Sequence, residues 1–391
     1  MEILNNYWTV QTATFLIIFV LAVFVSLNKK IGHGLFPKET SNELRGLAIL
    51  GVIFAHLTYG KFYGTQFLFP LGIWGGIAVD LFLFLSGYGL AASAIYHRKT
   101  IGEFYSKRLL KIYLPLWLSL ALFVFLDAVL LRRFYPSLEV FFALAGFFQK
   151  ADLWQSINAP LWFLTPLLFY YLVFPFIFRF KLPIISAVAV LAISGLAFVP
   201  NLPVSEQIIK YYQLHWLAFP LGVLLAALIV SPKPDCFWVN WRLLSVCKCC
   251  QAWLERQEVK RPVAKFLNQL KTFSSYWRIV LIVILSLTAV YFAYYSGVGK
   301  DIWWEQLLSL FVMLCVTLVF ILKKIKFQLL EIIGIYSFEI YLLHWPLVSR
   351  YDFIFKIFSS AFGTIIYLIL LVILAVGFSK LMSLIYKKIP S

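Results

Sequence analysis

Charge is scarce in this chain. Asp, Glu, Lys and Arg supply 13% of its 391 residues, while 62% are apolar. No soluble core needs that much apolar surface, so a water-soluble globular domain is excluded; the length suits one compact polytopic membrane domain. Acids are scarcer than bases, 17 against 34, leaving a net charge of +17. Such a balance raises nucleic acid as a partner. The Lys and Arg residues, however, cluster at the ends of apolar runs, as the cytoplasmic loops of a membrane protein require, and no nucleic-acid partner is expected. Cysteines number five, and four of them (Cys236, Cys247, Cys249 and Cys250) fall in one basic segment at 231–277. That segment has no pair of C-x-x-C motifs and no nearby His, so no metal site is expected. Reduced thiols on an amphipathic cytoplasmic insertion fit best, with lipidation left open. No internal repeat or low-complexity tract is present. No basic stretch precedes the first apolar run and no small-residue cleavage pattern follows it, which favours a retained helix over a signal peptide.

What is present is a series of apolar runs near the ~20 residues that a bilayer requires. They lie at 9–27, 44–59, 74–96, 112–131, 160–180, 183–200, 213–230, 278–296, 302–322, 331–348 and 353–386. The predicted fold is an all-α transmembrane helix bundle of about eleven spans. The run at 137–148 is too short to cross and reads as re-entrant or interfacial. Basic clusters test the count. Lys29 and Lys30, the 97–99 and 107–111 clusters, Arg179 and Lys181, the 323–326 cluster, and Lys387 and Lys388 all fall on one side. They do so if the amino terminus is outside and the carboxyl terminus cytoplasmic; Arg132 and Arg133 are exceptions. Aromatics reach 19%, more than interface belts alone need.

Ionisable groups inside apolar runs are costly and usually face a bundle interior or a wet cavity. Arg45 and His56 are eleven residues apart, about three turns, and share one helix face roughly 16 Å apart. Asp80 sits in the next run. The topology puts His56, Asp80, Trp162, His215 and His344 at similar depth in the outer half. Ser337, Tyr341 and His344 share a face at spacings i, i+4 and i+7. Arg45, Arg108 and Lys111 gather on the cytoplasmic side. The arrangement points to an anion bound from the cytoplasm and proton chemistry further out.

Five sequence blocks occur in order. They are RGLAILGVIFAH at 45–56, GIAVDLFLFLSGY at 76–88, FYSKRLLKIYLP at 104–115, LWFL at 161–164, and IGIYSFEIYLLHWP at 333–346. Together they resemble acyltransferase family 3, multi-span acyltransferases that modify bacterial surface glycans and some lipids or antibiotics. The resemblance covers 42–386 and implies a ten-span core, leaving residues 1–41 as an added helix and linker and 42–391 as the acyltransferase-like membrane domain. Two departures stand out. The family often has two arginines before helix four, where this chain has Arg108 and Lys111, and lysine lacks the forked contact. The stretch after Trp162 reads TPLLFYY, without the acid many members carry there. No esterase-like domain is appended, which implies a stand-alone transmembrane enzyme.

The resemblance implies an acyl-coenzyme A co-substrate, most simply acetyl-coenzyme A, with no permanently bound cofactor. It implies an acceptor hydroxyl on a glycan or lipid-linked saccharide. Arg45, Arg108 and Lys111 are then expected to hold the donor's phosphates. His56 is expected to take the hydroxyl proton, with Asp80 orienting it and His344 beside it; transient acyl-histidine formation stays open. Trp162, Tyr341 and Ser337 are expected near the acceptor. His215 has the weakest claim to a role. The rival reading is a proton-coupled transporter or flippase of a lipid-linked or small anionic substrate, since intramembrane His, Asp and Arg serve it equally well. A scaffold that has lost catalysis is disfavoured by the retained His56.

Overall fold

The computed structural model describes residues 2–29, 32, 34–97, 100–230, 262–296 and 301–388. The cysteines at 236–250, with most of the insertion, lie outside them. The chain opens with α1 (Glu2–Val25) and a short strand β1 (Leu27–Lys29). It continues through α2 (Lys38–His56), α3 (Phe69–Gly72), α4 (Gly75–His97), α5 (Ile101–Leu130), α6 (Ser137–Ala145) and α7 (Leu164–Ile177). Then come α8 (Pro183–Ser194), α9 (Glu206–His215), α10 (Ala218–Ile229), α11 (Pro262–Thr272), α12 (Ser275–Tyr295) and α13 (Ile302–Leu322). After β2 (Ile325–Phe327) follow α14 (Gln328–Ile335), α15 (Ser337–Ser349), α16 (Ile354–Ile357) and α17 (Ser360–Tyr386).

Local chemistry explains several boundaries. Thr100 and Glu103 close a capping box at the start of α5, each side chain accepting from the other's backbone N–H. The Ser205 hydroxyl caps α9 by accepting from Ile208 N, and Asp301 caps α13 by accepting from Trp303 N. Beyond α2 the chain winds into one π-helical turn, Leu57–Lys61, a wider ring that places His56 at a break in the regular ladder.

The fold is an all-α bundle, and every expected span is helical. Among the described residues, eight helices are long and apolar enough to cross a membrane, and a ninth is reached if α14 and α15 count as one span. That pair is bent by 78°, so the expected straight span at 331–348 is replaced by a broken one. The run expected at 183–200 is a shorter apolar helix, Pro183–Phe198. The remaining expected span is α2, whose first turns carry Lys38, Glu39, Glu43 and Arg45. The run at 137–148 folds as the nine-residue α6, only about 14 Å long at 1.5 Å per residue. The added α1 is fastened to the rest. Its Gln11 side chain accepts from Ala361 N at 3.0 Å, its Thr12 hydroxyl accepts from Leu68 N at 3.0 Å, and β1 pairs antiparallel with β2.

Lipid tails give helices no hydrophobic reason to associate, so membrane bundles rely on close backbone approach at small residues. Two such contacts organise the core. In the first, α4 and α10 meet reciprocally: a Cβ on Gly87 would overlap the Phe219 carbonyl, and one on Gly222 the Phe84 carbonyl. In the second, α2 and α14 meet in the same way, Gly46 against the Leu330 carbonyl and Gly334 against the Asn42 carbonyl. Beside the second contact the buried Glu43 carboxylate accepts from the Lys323 ammonium and from Phe327 N. A cluster at the far end of α5 has the same logic. Asp127 is fully buried and accepts from Tyr135, Tyr351 and Arg350, tying α5 to the end of α15.

These contacts give a test with its own control. Gly222→Ala and Gly334→Ala each force backbones apart and are expected to cost at least the ~1–3 kcal/mol typical of overpacked interiors. Gly89→Ala, on the α4 helix with nothing within 4 Å of the added carbon, should leave stability unchanged or raise it. Thermal melts in detergent distinguish the three; equal melting temperatures would contradict the packing described.

Candidate active site

Two histidines face one cavity of about 400 Å³. His56 reaches it from the end of α2, and His215 from the end of α9. Trp162, Tyr211, Glu305 and Tyr341 complete the polar and aromatic part of its wall, with Tyr59 at its edge. The volume falls within the ~300–1,000 Å³ usual for small-ligand sites.

The hydrogen bonds fix the tautomer of each ring. His56 Nδ1 lies 2.8 Å from the Val52 carbonyl, which can only accept, so Nδ1 carries the proton. His344 Nδ1 lies 2.7 Å from the Tyr341 carbonyl and is likewise protonated. His344 Nε2 is then a bare lone pair and accepts from His56 Nδ1 at 3.3 Å. The remaining nitrogen of His56, Nε2, is therefore an acceptor. His215 Nδ1 donates to Asp80 Oδ1 at 2.7 Å, which leaves its Nε2 bare as well. Asp80 uses its second oxygen to accept from Ser309. An imidazole whose Nδ1–H is held from behind presents a correctly aimed base at Nε2.

His56, Trp162 and His215 line one cavity with Asp80 and His344 directly behind them, but two expected pairings differ. Asp80 is bonded to His215, not to His56. It leaves the second turn of α4 towards α9 and α13, where Ser309 and His215 occupy both its oxygens. His344 does not face the cavity. It is 1% exposed and stands behind His56, because its own Nδ1 is turned back to the Tyr341 carbonyl. Ser337 is buried and does not line the cavity, while Tyr341 does and donates its hydroxyl to the Pro160 carbonyl. Trp162 lies over His215 with ring centroids 6.1 Å apart and an interplanar angle of 23°.

Sequence reasoning undervalued His215 and missed Glu305. His215 has no motif around it, and its depth was its only signal. Glu305 stands in the first turn of α13, where it reads as an ordinary helix-start acid. Its Oε1 is buried without a hydrogen-bond partner while the residue lines the cavity. A hydroxyl donor entering the cavity would satisfy it.

Three turns before His56 on α2, Arg45 lies within electrostatic reach of Arg108 on α5 and of the Tyr171 hydroxyl on α7. Among the described residues neither guanidinium pairs with a carboxylate. Two close cations without an acid form a site for an anion with several oxygens. Lys111, one turn further along α5, is exposed.

The profile of the acyltransferase domain family, acyltransferase family 3, matches residues 42–384. No curated protein and no solved structure matches the chain.

The Asp80–His215 pair can be tested apart from any activity. His215→Ala leaves a buried carboxylate with Ser309 as its one partner, and breaking such pairs costs about 3–5 kcal/mol. Adding Asp80→Asn should return part of that loss, because the stranded charge is gone. A double-mutant cycle by thermal melts checks this; strictly additive losses would mean that the two side chains do not interact.

Proposed function

The chain belongs to acyltransferase family 3, and from that membership we propose that it is a membrane O-acyltransferase drawing on cytoplasmic acyl-coenzyme A. The acyl group in the first instance is acetyl, and the acceptor is a hydroxyl of a cell-envelope glycan or lipid-linked saccharide. The observation that carries the reading is α2 itself. Three turns before the imidazole at its end, with its bare Nε2, it bears an arginine that pairs with no carboxylate among the described residues and lies next to a second arginine.

Coenzyme A matches this axis. Its phosphates need cations, and Arg45 and Arg108 supply two forked donors. Its pantetheine arm is thin enough to run between helices towards His56. In the reaction the acceptor hydroxyl attacks the thioester carbonyl carbon, and His56 Nε2 takes the hydroxyl proton. The carbon–sulfur bond then breaks, and the departing thiolate recovers the proton from His56. Val52 and His344 hold His56 from behind, which makes His344 a positioning residue. His215 faces the same space with Asp80 behind it, and the carboxylate offsets charge that builds on that ring. Glu305 accepts from the acceptor's hydroxyl groups. Orientation follows from the basic clusters, with the amino terminus outside, the carboxyl terminus in the cytoplasm and the arginine pair on the cytoplasmic side of the cell membrane.

Two measurements test the reading. Purified protein should consume acetyl-coenzyme A in the presence of envelope extract, and His56→Ala should slow this by about 10²–10⁴-fold, the usual worth of general-base catalysis, with insertion intact. Near-normal turnover in that variant would remove His56 from the mechanism, and no thioester consumption by the wild type would favour a carrier. For the donor site, Arg108→Ala should weaken acetyl-coenzyme A binding by at least tenfold, about 1.4 kcal/mol. The same change should leave acetyl-pantetheine, which lacks the nucleotide, unaffected. Equal losses for both compounds would refute the phosphate assignment.

A further inference from the structure

A second cavity, of about 280 Å³, adjoins the one that holds His56. Trp162, Tyr211 and His215 line both, so these three rings are a shared partition. Beyond the partition the chemistry changes. The wall is built from Leu83, Phe169, Ile193, Leu196, Ala197 and Val199, together with further aromatic rings.

The polar groups of this wall are largely engaged elsewhere. The Thr165 hydroxyl accepts from Phe148 N at 2.8 Å and faces the Gly146 carbonyl at 3.3 Å. Ser194 donates to the Val190 carbonyl, Trp216 to Gln306, and the Tyr211 oxygen accepts from Gln207. The Tyr170 hydroxyl points to the Trp216 carbonyl at 3.5 Å. Of the wall's hydroxyls, only that of Tyr212 lacks a hydrogen-bond partner among the described residues. A saccharide carries a hydroxyl on most of its carbons and would leave nearly all of them unpaired here, at about 1–3 kcal/mol each. An alkyl chain loses nothing. The contrast with the first cavity, where Glu305 offers a buried carboxylate oxygen, divides the two spaces between a polar and an apolar occupant.

We propose that the second cavity receives the alkyl chain of the donor's acyl group, so that the protein transfers medium-length acyl groups in addition to acetyl. The inference rests on the acyl-coenzyme A reading above and specifies its donor. The thioester carbonyl lies between His56 and His215, and the chain attached to it passes the Trp162 ring into the apolar space. The outer rim is formed by Phe169, Leu196 and Val199, which are exposed on the apolar flank of the bundle. A chain longer than the cavity leaves between them into the bilayer. The benefit of added length therefore levels off and does not reverse.

The test is a series of straight-chain acyl-coenzyme A donors, from acetyl to dodecanoyl, given to the purified full-length protein in lipid nanodiscs. Thioester consumption is measured with envelope extract as acceptor. Each methylene buried in the cavity should raise kcat/KM by up to about fourfold, the fold-change equivalent of ~0.8 kcal/mol, until a plateau. Ala197→Trp and, independently, Ile193→Trp fill the space. Each should lower kcat/KM for octanoyl-coenzyme A at least tenfold while leaving acetyl-coenzyme A within about twofold, and melting temperatures report folding independently of activity. A flat or falling series from acetyl upward overturns the proposal while leaving the acyltransferase reading standing. So does an equal loss with every donor in both filled variants, which would give the cavity to the tail of a lipid-linked acceptor. Absence of consumption with every donor, acetyl included, overturns both.

Discussion

The contact between α2 and α14 is the constraint on which the rest depends. α2 carries both Arg45 and His56, and α14 leads directly into α15, which carries His344. Gly46 and Gly334 let the two backbones meet without an intervening side chain, and the 78° bend between α14 and α15 turns His344 back towards the end of α2. The 3.3 Å separation of the two imidazoles follows from these two features. Any side chain in the contact would move His344 away from His56 and release the ring it holds. The Glu43–Lys323 pair closes the same junction from the other side, which explains a full buried charge so near the start of a membrane helix.

A bilayer makes unpaired polar groups expensive, and this protein meets that cost unevenly. Two structural ions are well paired: Asp127 has three side-chain donors, and Asp80 is held by His215 and Ser309. Among the described residues, Glu43 keeps one buried oxygen without a partner at the α2–α14 junction, and other unpaired groups surround the candidate site. Arg45 and Arg108 stand together without an acid, Glu305 keeps a bare oxygen, and two imidazoles turn bare nitrogens into one cavity. On α2 itself, three turns separate Arg45, beside a second cation, from His56 at the helix end, next to the cavity.

The two adjoining cavities divide substrate chemistry along a wall of rings. On the His56 side the lining offers acceptors to a hydroxylated molecule. On the other side most polar atoms are engaged with protein partners, and the surface facing inward is mainly apolar. His215 stands in the partition itself, fixed by Asp80 through its inner nitrogen, so its orientation bears on both spaces at once.

How much of this was legible in the sequence follows from the range of each force. Apolar run length and basic flanks are local, and they placed the long apolar helices of the bundle. The eleven-residue step from Arg45 to His56 put both on one face of one helix, because 3.6 residues per turn is a property of the backbone alone. Depth in the bilayer is also nearly local, and it brought His56, Asp80, Trp162, His215 and His344 to one level. Which of them touch is another matter. Asp80 bonds His215 and not His56 because of how α4, α9 and α13 are rotated against one another, and that rotation is set by packing between distant segments. The break between α14 and α15 likewise arises within a run that composition alone reads as continuous. Depth could be read from one strand of sequence; azimuth around the helix axes, and with it every pairing in the site, was decided only when the helices packed.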